Sequence, residues 1–419
     1  MKTSKSNLYL LHCETFLLLK AKKETEEFDV TYAIPPDYEE QVPIFFNTRD
    51  DTSSKILEYK IMNDKYPPNK IVHFKIGGLK KNESVKIHFD YIVIVKNKKY
   101  NDLPKFVRIP KKNELTNKIK IWLEPTKTVQ SNNFLIKIKA NLLKGFSKNI
   151  MWVLRKIIYY VPFHRFLLQQ LRYFLEKNSI LRPLFLPKKY WTGLCDAVSY
   201  LLFGGHCTGQ ANFTVALLRS IGIPSKVLIV TMFGLKYQRY EKCWLDSQHY
   251  MIESYCPGYG WIKSTPGRVG HQPKNYIILR IVYPEDENNA GNGLSYYGGM
   301  EPWFWIENDN VTLEFPEDLI IFYKKPRGKV SGVPAHRLWT ENKISVDNST
   351  AEKIFSSVRN IWGQYIKCTN LKLSKSDKKY FNSAVDAQKQ ALNSFNKSDL
   401  YSFNKYLDIA YFHYKKIKD

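Results

Sequence analysis

The chain has 419 residues, of which 44% are hydrophobic and 15% aromatic, and it carries a formal net charge of +25 at pH 7. This length excludes one ordinary domain and predicts about two to four domains with large cores. The cysteines lie at positions 13, 195, 207, 243, 256 and 368. They lack the close, paired spacing of a disulfide framework or a zinc ribbon, so we expect a reducing, cytoplasmic compartment.

The positive charge is spread along the whole chain, as a compositional bias of the source genome also produces. Residues 101–200 nevertheless hold nineteen Lys or Arg against five Asp or Glu. This imbalance leaves open an acidic partner or an anionic membrane surface. No recognised nucleic-acid-binding module accompanies the charge, so nucleic acid is the least favoured partner.

The N-terminal residues MKTSKSNLYLLHCETFLLLK place basic residues before an apolar run, as a secretory signal does. However, His12, Cys13 and Glu14 interrupt the run, and lysines follow it where a small-residue cleavage site is expected. We therefore predict a strand here. No later segment has about eighteen uninterrupted apolar residues, so we expect no membrane-spanning helix.

Residues 1–115 alternate short strand-like runs with turn residues, for example FDVTYAI, KIVHFKI and VKIHFDYIVIV. This pattern predicts an all-β sandwich domain. Residues 116–190 change to longer amphipathic stretches, which predict a helical lead-in with a break at Pro162. We expect the aromatic side of these helices to pack in a core and their lysines to face solvent, and we favour contact with a membrane or nucleic acid less.

Residues 191–325 mix one clear helix with several strands, which is an α+β pattern. Residues 345–419 contain two helical runs, SDKKYFNSAVDAQKQALNSF and SDLYSFNKYLDIAYFHYKKI, each opened by a Ser-Asp pair suited to N-capping. We predict a C-terminal helical hairpin.

The stretch GGHCTGQANFTVALLRSIG places Cys207 between two glycines and an apolar helix. Ala211, Val215 and Leu218 have the spacing of a buried helix face, so Cys207 lies at or near a helix start. The unpaired N–H groups and the helix dipole there stabilise a thiolate and lower its pKa. A nucleophilic cysteine is therefore predicted at this position.

A candidate base for this cysteine lies in DSQHYMIESYCPGYGWIKSTPG. Read as a strand from 248 to 255, this segment places His249 and Glu253 on one face. Pro257, Gly258 and Gly260 then form a turn, and the returning strand brings residues near Thr265 back beside His249.

These residues resemble the transglutaminase-like superfamily of cysteine hydrolases and acyltransferases, which has a papain-like core. The resemblance rests on Cys207 before a helix that ends in RSIGIP (219–224), on His249 with Glu253 four positions later, and on the turn PGYGW (257–261). It covers residues 185–285 and makes the α+β region 191–325 the expected core. The resemblance also implies the β-sandwich and helical linker before the core, whereas the helical hairpin after it is expected from its own sequence pattern. It also implies an acyl-transfer site with Cys207 as nucleophile and His249 as base.

The resemblance fails at one position, because Thr265 stands where the family has the aspartate that orients the histidine. A hydroxyl can accept the imidazole N–H and fix its tautomer, although it stabilises an imidazolium less than a carboxylate does. Thr265 is one candidate for the orienting group. Asp246 and Glu253 are the nearest carboxylates in sequence and remain alternatives.

We expect a peptidase or amidase that forms a Cys207 thioester on a protein or peptide substrate, with no metal or cofactor. The alternatives are a protein-crosslinking acyltransferase and a non-catalytic scaffold that retains the fold. The other residues near the motifs are assigned lesser roles: His206 at the rim, Trp191 in core packing or lining the site, and Cys195, Cys243 and Cys256 as structural thiols.

Overall fold

A computed structural model describes residues 5–49, 52–96, 103–177, 195–232, 248–270, 276–288, 304–314 and 335–417 of the chain. The described chain is α+β, with antiparallel sheets in its N-terminal part, a sheet covered by a buried helix in its middle, and helices at its C-terminal end. None of the described helices combines the length and apolarity needed to cross a bilayer.

The N-terminal part contains two antiparallel sheets. The first is built around β1 (Lys5–Ala21), which pairs with β6 (Ser84–Lys96), β13 (Val311–Glu314) and β14 (Ala335–Asp347), while β3 (Gln41–Thr48) pairs with β6. The second has the order β12 (Phe304–Ile306), β2 (Phe28–Ile34), β5 (Lys70–Ile76), β4 (Ile56–Asn63). The strand predicted at the N-terminus is confirmed as β1.

Aromatic side chains join the two sheets. The ring of Phe89 in β6 lies 5.1 Å from that of Tyr32 in β2 and 5.7 Å from that of Phe74 in β5. The sheets are not confined to the predicted range 1–115, because β12, β13 and β14 come from residues 304–347 and pair with β1 and β2. The chain thus returns to the N-terminal sheets after the middle sheet is complete.

The middle part is one antiparallel sheet with a helix against it. The sheet has the order β10 (Arg268–Val269), β9 (Gly260–Thr265), β8 (Gln248–Cys256), β7 (Ser225–Met232), β11 (Tyr276–Val282). Helices α4 (Ala197–Phe203) and α5 (Cys207–Ser220) precede the sheet, and the short α6 (Pro284–Asn288) follows it. Helix α5 contacts β7 and β8 and is almost wholly buried.

The lead-in contains α1 (Asn117–Lys120), a 3-10 turn on each side of it (Lys112–Glu114 and Ile121–Leu123), α2 (Phe134–Lys144) and α3 (Ile150–Lys177). The predicted break at Pro162 is wrong, because α3 continues through this residue. A proline inside a helix leaves the carbonyl four residues earlier without its usual N–H donor. That carbonyl, on Ile158, accepts a hydrogen bond of 3.2 Å from the Gly267 N–H instead.

The C-terminal part contains three described helices, α7 (Asn348–Thr369), α8 (Lys375–Asn396) and α9 (Leu400–Lys416). Helices α8 and α9 correspond to the two predicted runs. The N-cap of α9 is Asp399 of its predicted Ser-Asp pair, whereas α8 begins one residue before its pair and has Ser374 as N-cap. The predicted hairpin over 345–419 lacked α7, which packs against the first sheet. There the Tyr365 hydroxyl donates a 2.8 Å hydrogen bond to the Phe46 carbonyl.

Candidate active site

Cys207 is the first residue of α5, as predicted from the sequence. Gly204 and Gly205 precede it with positive φ angles of 72° and 154°, which only glycine adopts readily, and His206 is the extended N-cap. The thiol is partly exposed, unlike those of Cys195 and Cys256. It therefore combines solvent access with the helix position that favours a thiolate.

The connection from α5 to β7 brings Cys207 and His249 to one end of the sheet. The chain reverses at Gly222, which has a φ of 86°, so β7 runs back along the helix. Strand β8 then pairs antiparallel with β7, with His249 opposite Val230 near the end of β7. The start of α5, the end of β7 and the start of β8 therefore share one edge of the core.

The motif RSIGIP anchors this reversal. The Arg219 guanidinium is fully buried and donates two hydrogen bonds of 2.7 Å to the carboxylate of Glu287 in α6. It donates further hydrogen bonds of 2.9 Å to the carbonyls of Ser225 and Glu124. Because every one of these contacts fixes the end of α5, Arg219 is a structural residue of the core.

A small cavity of about 10 Å³ lies between α3, α5, β8 and β9, and Cys207 and Thr265 both line it. Its other lining residues are Ile158, Val161, Gln210, Ala211, Thr214, Tyr250, Met251, Ile252, Ser264 and Pro266. A space of this size holds about one water molecule. The structure thus brings Cys207 and Thr265 together.

His249 lies beside this cavity without lining it. Its neighbour Tyr250 lines the cavity, whereas the His249 ring makes an edge contact with Tyr276 at a centroid distance of 6.2 Å. Strand alternation places His249 on the same face of β8 as Met251, which is one of the residues that line the cavity. His249 is the second residue of β8, at the end of the strand that the topology places beside the start of α5.

The surroundings of His249 keep its imidazole neutral. Burial lowers the pKa of His249, and the positive charge of Arg165 lowers it further. The same two causes lower the pKa of His206, the residue before Cys207. Arg165 in α3 therefore acts on the residues at both sides of the candidate site.

Glu253 does not orient His249, so this alternative from the sequence is wrong. Its buried carboxylate accepts hydrogen bonds from the Tyr38 hydroxyl at 2.5 Å and from Lys226 Nζ at 2.9 Å, and it lies 3.3 Å from Lys263 Nζ. Although burial alone would raise the pKa of Glu253, the charges of Lys226 and Lys263 hold it below its usual range. This carboxylate serves a buried ionic network instead.

That network joins the middle sheet to the turn between β2 and β3. Lys263 Nζ is fully buried and contacts the carboxylates of Glu39, at 2.8 Å, and of Glu40. Lys226 Nζ lies 3.9 Å from the ring centre of Trp261. Since Glu39 and Glu40 follow Tyr38 directly, one turn of the N-terminal sheets supplies three partners to the middle sheet.

The structure also describes two of the three cysteines that the sequence assigns as structural thiols. Cys195 and Cys256 are buried, and burial raises the pKa of Cys256 to about 11, which suits a structural thiol. Asp246, Trp191 and Cys243 lie outside the described residues. Within the ranges that the structure describes, no group of three or more His, Cys, Asp or Glu is arranged to hold a metal ion.

Sequence reasoning missed two residues near the candidate nucleophile, Arg165 and Tyr200. Burial raises the pKa of Tyr200, and the charge of Cys207 contributes to the same shift. Arg165 lies in a helix with many other basic and aromatic residues, so no local pattern distinguishes it. Its closeness to His206 and His249 comes from the packing of α3, which the sequence does not specify.

The middle of the chain matches the model of one known protein family. Residues 168–266 match the family model of the transglutaminase-like superfamily, and this range contains Cys207, His249 and Thr265. A comparison with curated proteins finds no match. Residues 168–266 therefore carry a transglutaminase-like core.

Three solved structures are similar to the chain at low sequence identity. A protein from Cytophaga hutchinsonii, described as a candidate cysteine protease, is 12% identical with a TM-score of 0.48, over 80% of this chain and 99% of that one. A candidate protease from Parabacteroides distasonis is 13% identical with a TM-score of 0.22, and the match covers 60% of this chain and 42% of that one. The periplasmic domain of TgpA from Pseudomonas aeruginosa is 12% identical with a TM-score of 0.24, and the match covers 60% of this chain and 88% of that one.

Proposed function

From the position of Cys207 in a transglutaminase-like core, we propose that this protein is a cysteine hydrolase that cleaves peptide, isopeptide or related amide bonds through a thioester. The observation that carries the proposal is the partly exposed Cys207 at the first residue of the buried helix α5, in one cavity with Thr265. A nucleophilic cysteine has this combination of access and helix position, whereas a structural thiol has neither.

In the first half of the proposed reaction, His249 takes the proton of the Cys207 thiol. The sulfur attacks the amide carbonyl carbon, and the backbone N–H at the start of α5 donates to the oxyanion that forms. The carbon–nitrogen bond then breaks, and the departing amine receives the proton from His249. In the second half, water attacks the thioester and releases the acid. A lysine amine in place of water would give a crosslink.

The lowered pKa of His249 supports its role as the base. Burial and Arg165 keep the imidazole neutral at pH 7, so it is ready to accept a proton. The hydrogen bond between nucleophile and base is often long in a free enzyme and shortens when substrate binds. Thr265, which lines the cavity with Cys207, is the group that we propose orients the imidazole.

Trapping of the acyl-enzyme tests the proposal. The protein is incubated with a peptide mixture and quenched in acid, and intact-mass and peptide mass spectrometry then locate any acyl group. We expect an acyl adduct on Cys207 that hydroxylamine removes, together with new peptide termini. The variant Cys207→Ser should form neither. New termini without a Cys207 adduct, or the same products from Cys207→Ser, would contradict the thioester mechanism.

A further inference from the structure

Helix α2 presents an apolar stripe to solvent. Phe134, Ile138 and Leu142 are spaced four residues apart and are 73%, 42% and 68% exposed, and Phe146, just beyond the helix, is fully exposed. The buried residues of the same helix are Ile136, Ala140 and Leu143. The helix therefore has two apolar sides, and only one of them packs in the core.

Helix α3 extends this exposed apolar surface. One side of this helix carries four large aromatic residues that are 44% to 60% exposed. They are Trp152, Tyr159, Phe163 and Phe166. The helix is joined to α2 by a short connection, and Lys139 Nζ of α2 lies 4.4 Å from the ring centre of Tyr160 of α3. The two helices are therefore neighbours, and the expectation that their aromatic side packs in a core is wrong.

The stretch of chain that carries these side chains has charges of one sign. The sequence contains no Asp or Glu between Glu124 and Glu176. The same stretch contains several basic residues that the structure leaves exposed, namely Lys137, Lys148, Arg155 and Lys156. Lys156 Nζ lies 4.5 Å from the ring centre of Trp152, so positive charge and aromatic surface are interleaved.

This combination suits the surface of an anionic bilayer better than the other partners. A water-exposed apolar stripe of this kind is costly unless it is covered, and aromatic side chains are favoured at the level of lipid headgroups. Lysine and arginine beside them are attracted to anionic lipids. A second copy of this chain would bring like charges together, and nucleic acid would not require the aliphatic side chains of α2.

We propose that helices α2 and α3 form a docking surface for an anionic lipid bilayer, on which the protein lies without crossing it. The surface consists of the exposed apolar residues of α2 and α3 named above with Phe146, and of the four exposed basic residues around them. Its apolar side chains enter the interface between headgroups and acyl chains, and the basic side chains contact the headgroups. Because α3 also supplies Ile158 and Val161 to the cavity at Cys207, docking would hold the candidate site next to the bilayer.

Vesicle flotation of the full-length protein tests this proposal. The protein is mixed with vesicles of phosphatidylcholine alone, or of phosphatidylcholine with phosphatidylglycerol, at low and at physiological salt. We expect binding to the anionic vesicles that is at least about tenfold tighter than to the neutral ones and that weakens with salt. The triple variant Ile138→Ser, Leu142→Ser, Phe146→Ser should bind about tenfold more weakly, since it loses apolar surface and no charge.

Two further variants separate the contribution of the basic residues from that of the apolar residues and control for the loss of exposed apolar residues elsewhere. The charge variant Lys137→Gln, Lys148→Gln, Arg155→Gln should lose most of the preference for anionic vesicles. The control variant Leu57→Ser, Tyr401→Ser, Phe412→Ser removes residues of other surfaces that are 53%, 80% and 57% exposed, and it should bind like the wild type. Circular dichroism checks that each variant is folded, which is expected because every changed residue is exposed.

Other results would overturn the proposal. Absence of binding to both kinds of vesicle would do so, and so would equal binding by the wild type and the apolar triple variant. Light scattering that shows a dimer dissociated by the triple variant, without vesicle binding, would assign the surface to a second copy. Binding to single-stranded RNA that survives the triple variant, again without vesicle binding, would assign it to nucleic acid.

Discussion

Cys207 and Thr265 line one cavity, although the first begins a helix and the second ends a strand. The hydrogen bond from the Gly267 N–H to the Ile158 carbonyl holds the turn after Thr265 against α3. Thr265 is therefore fixed beside the candidate nucleophile by the same proline-containing helix that closes the cavity. Its hydroxyl stands at the position for which the resemblance to the transglutaminase-like superfamily implies a carboxylate.

The role of Thr265 can be tested by removing its hydroxyl alone. Thr265→Val keeps the shape of the side chain and should lower kcat by about ten- to a hundredfold with little change in KM, because the imidazole loses the group that fixes its tautomer. Thr265→Ser keeps the hydroxyl and should retain most of the activity. Steady-state kinetics on a peptide found by acyl-enzyme trapping provides the measurement. Equal rates for the Val and Ser variants would assign the orienting role to another residue.

Arg165 should set the acidic limb of the pH profile. Its charge, after burial, lowers the pKa of His249, so the neutral base persists below the ordinary histidine pKa of about 6.5. Removing this charge in Arg165→Gln raises the pKa of His249, and kcat/KM should therefore begin to fall at a higher pH than in the wild type. Arg155→Gln, on the exposed side of the same helix, is the matched control. An unchanged acidic limb in Arg165→Gln would show that Arg165 does not set the pKa of the catalytic base.

The buried ionic network should make a large contribution to stability. Lys263→Met leaves the carboxylates of Glu39, Glu40 and Glu253 with one cation fewer in a dry environment, so the free energy of unfolding should fall by about 3–5 kcal/mol. Lys60→Met removes an exposed ion pair with Glu58 and should change it by less than about 1 kcal/mol. Urea unfolding measures both. A similar small decrease in the free energy of unfolding of both variants would contradict a large contribution of the network to stability.

His336 should make the protein less stable in acid. The ring is fully buried between the hydroxyls of Thr15 and Tyr32, and burial lowers the pKa of His336 to about 3. Below about pH 6.5 the unfolded chain binds a proton here that the folded protein refuses, so stability falls with decreasing pH down to about pH 3. Between pH 6.5 and pH 5 this group should cost about 2 kcal/mol.

The variant His336→Gln isolates this effect. It removes the titrating ring, so its stability should change less between pH 8 and pH 5 than that of the wild type, whatever its absolute stability. His73→Gln changes a partly exposed histidine and is the matched control. Chemical unfolding at several pH values provides the comparison, and parallel curves for the wild type and His336→Gln would refute the assignment.

The local features of the candidate site could be predicted because their signals are local. A glycine pair before an apolar run predicts the start of α5 at Cys207, and the turn PGYGW predicts the hairpin of β8 and β9. The features that sequence reasoning missed depend on distant partners. Pro162 remains helical because Gly267 supplies a donor to Ile158, and Glu253 is occupied by Tyr38.

The same limit applies to the larger architecture. Strand β1 was predictable from its apolar run, but its pairing with β14 joins residues more than three hundred positions apart, and no periodicity in either strand specifies it. The exposed aromatic residues of α3 follow a helical pattern that also suits a core. Only the packing of the helix shows which side faces solvent.

Alkylation of Cys207 is the most direct test of the proposed thiol chemistry. The protein is labelled with iodoacetamide between pH 4 and pH 9, and mass spectrometry maps the modified sites, with the buried Cys256 as an internal reference because burial raises its pKa to about 11. We expect Cys207 to react far faster than Cys256 below pH 7 and to lose this advantage in His249→Ala. If Cys207 reacts slowly, or equally fast in both proteins, then no working Cys207–His249 pair exists and the protein is a non-catalytic scaffold on a retained fold.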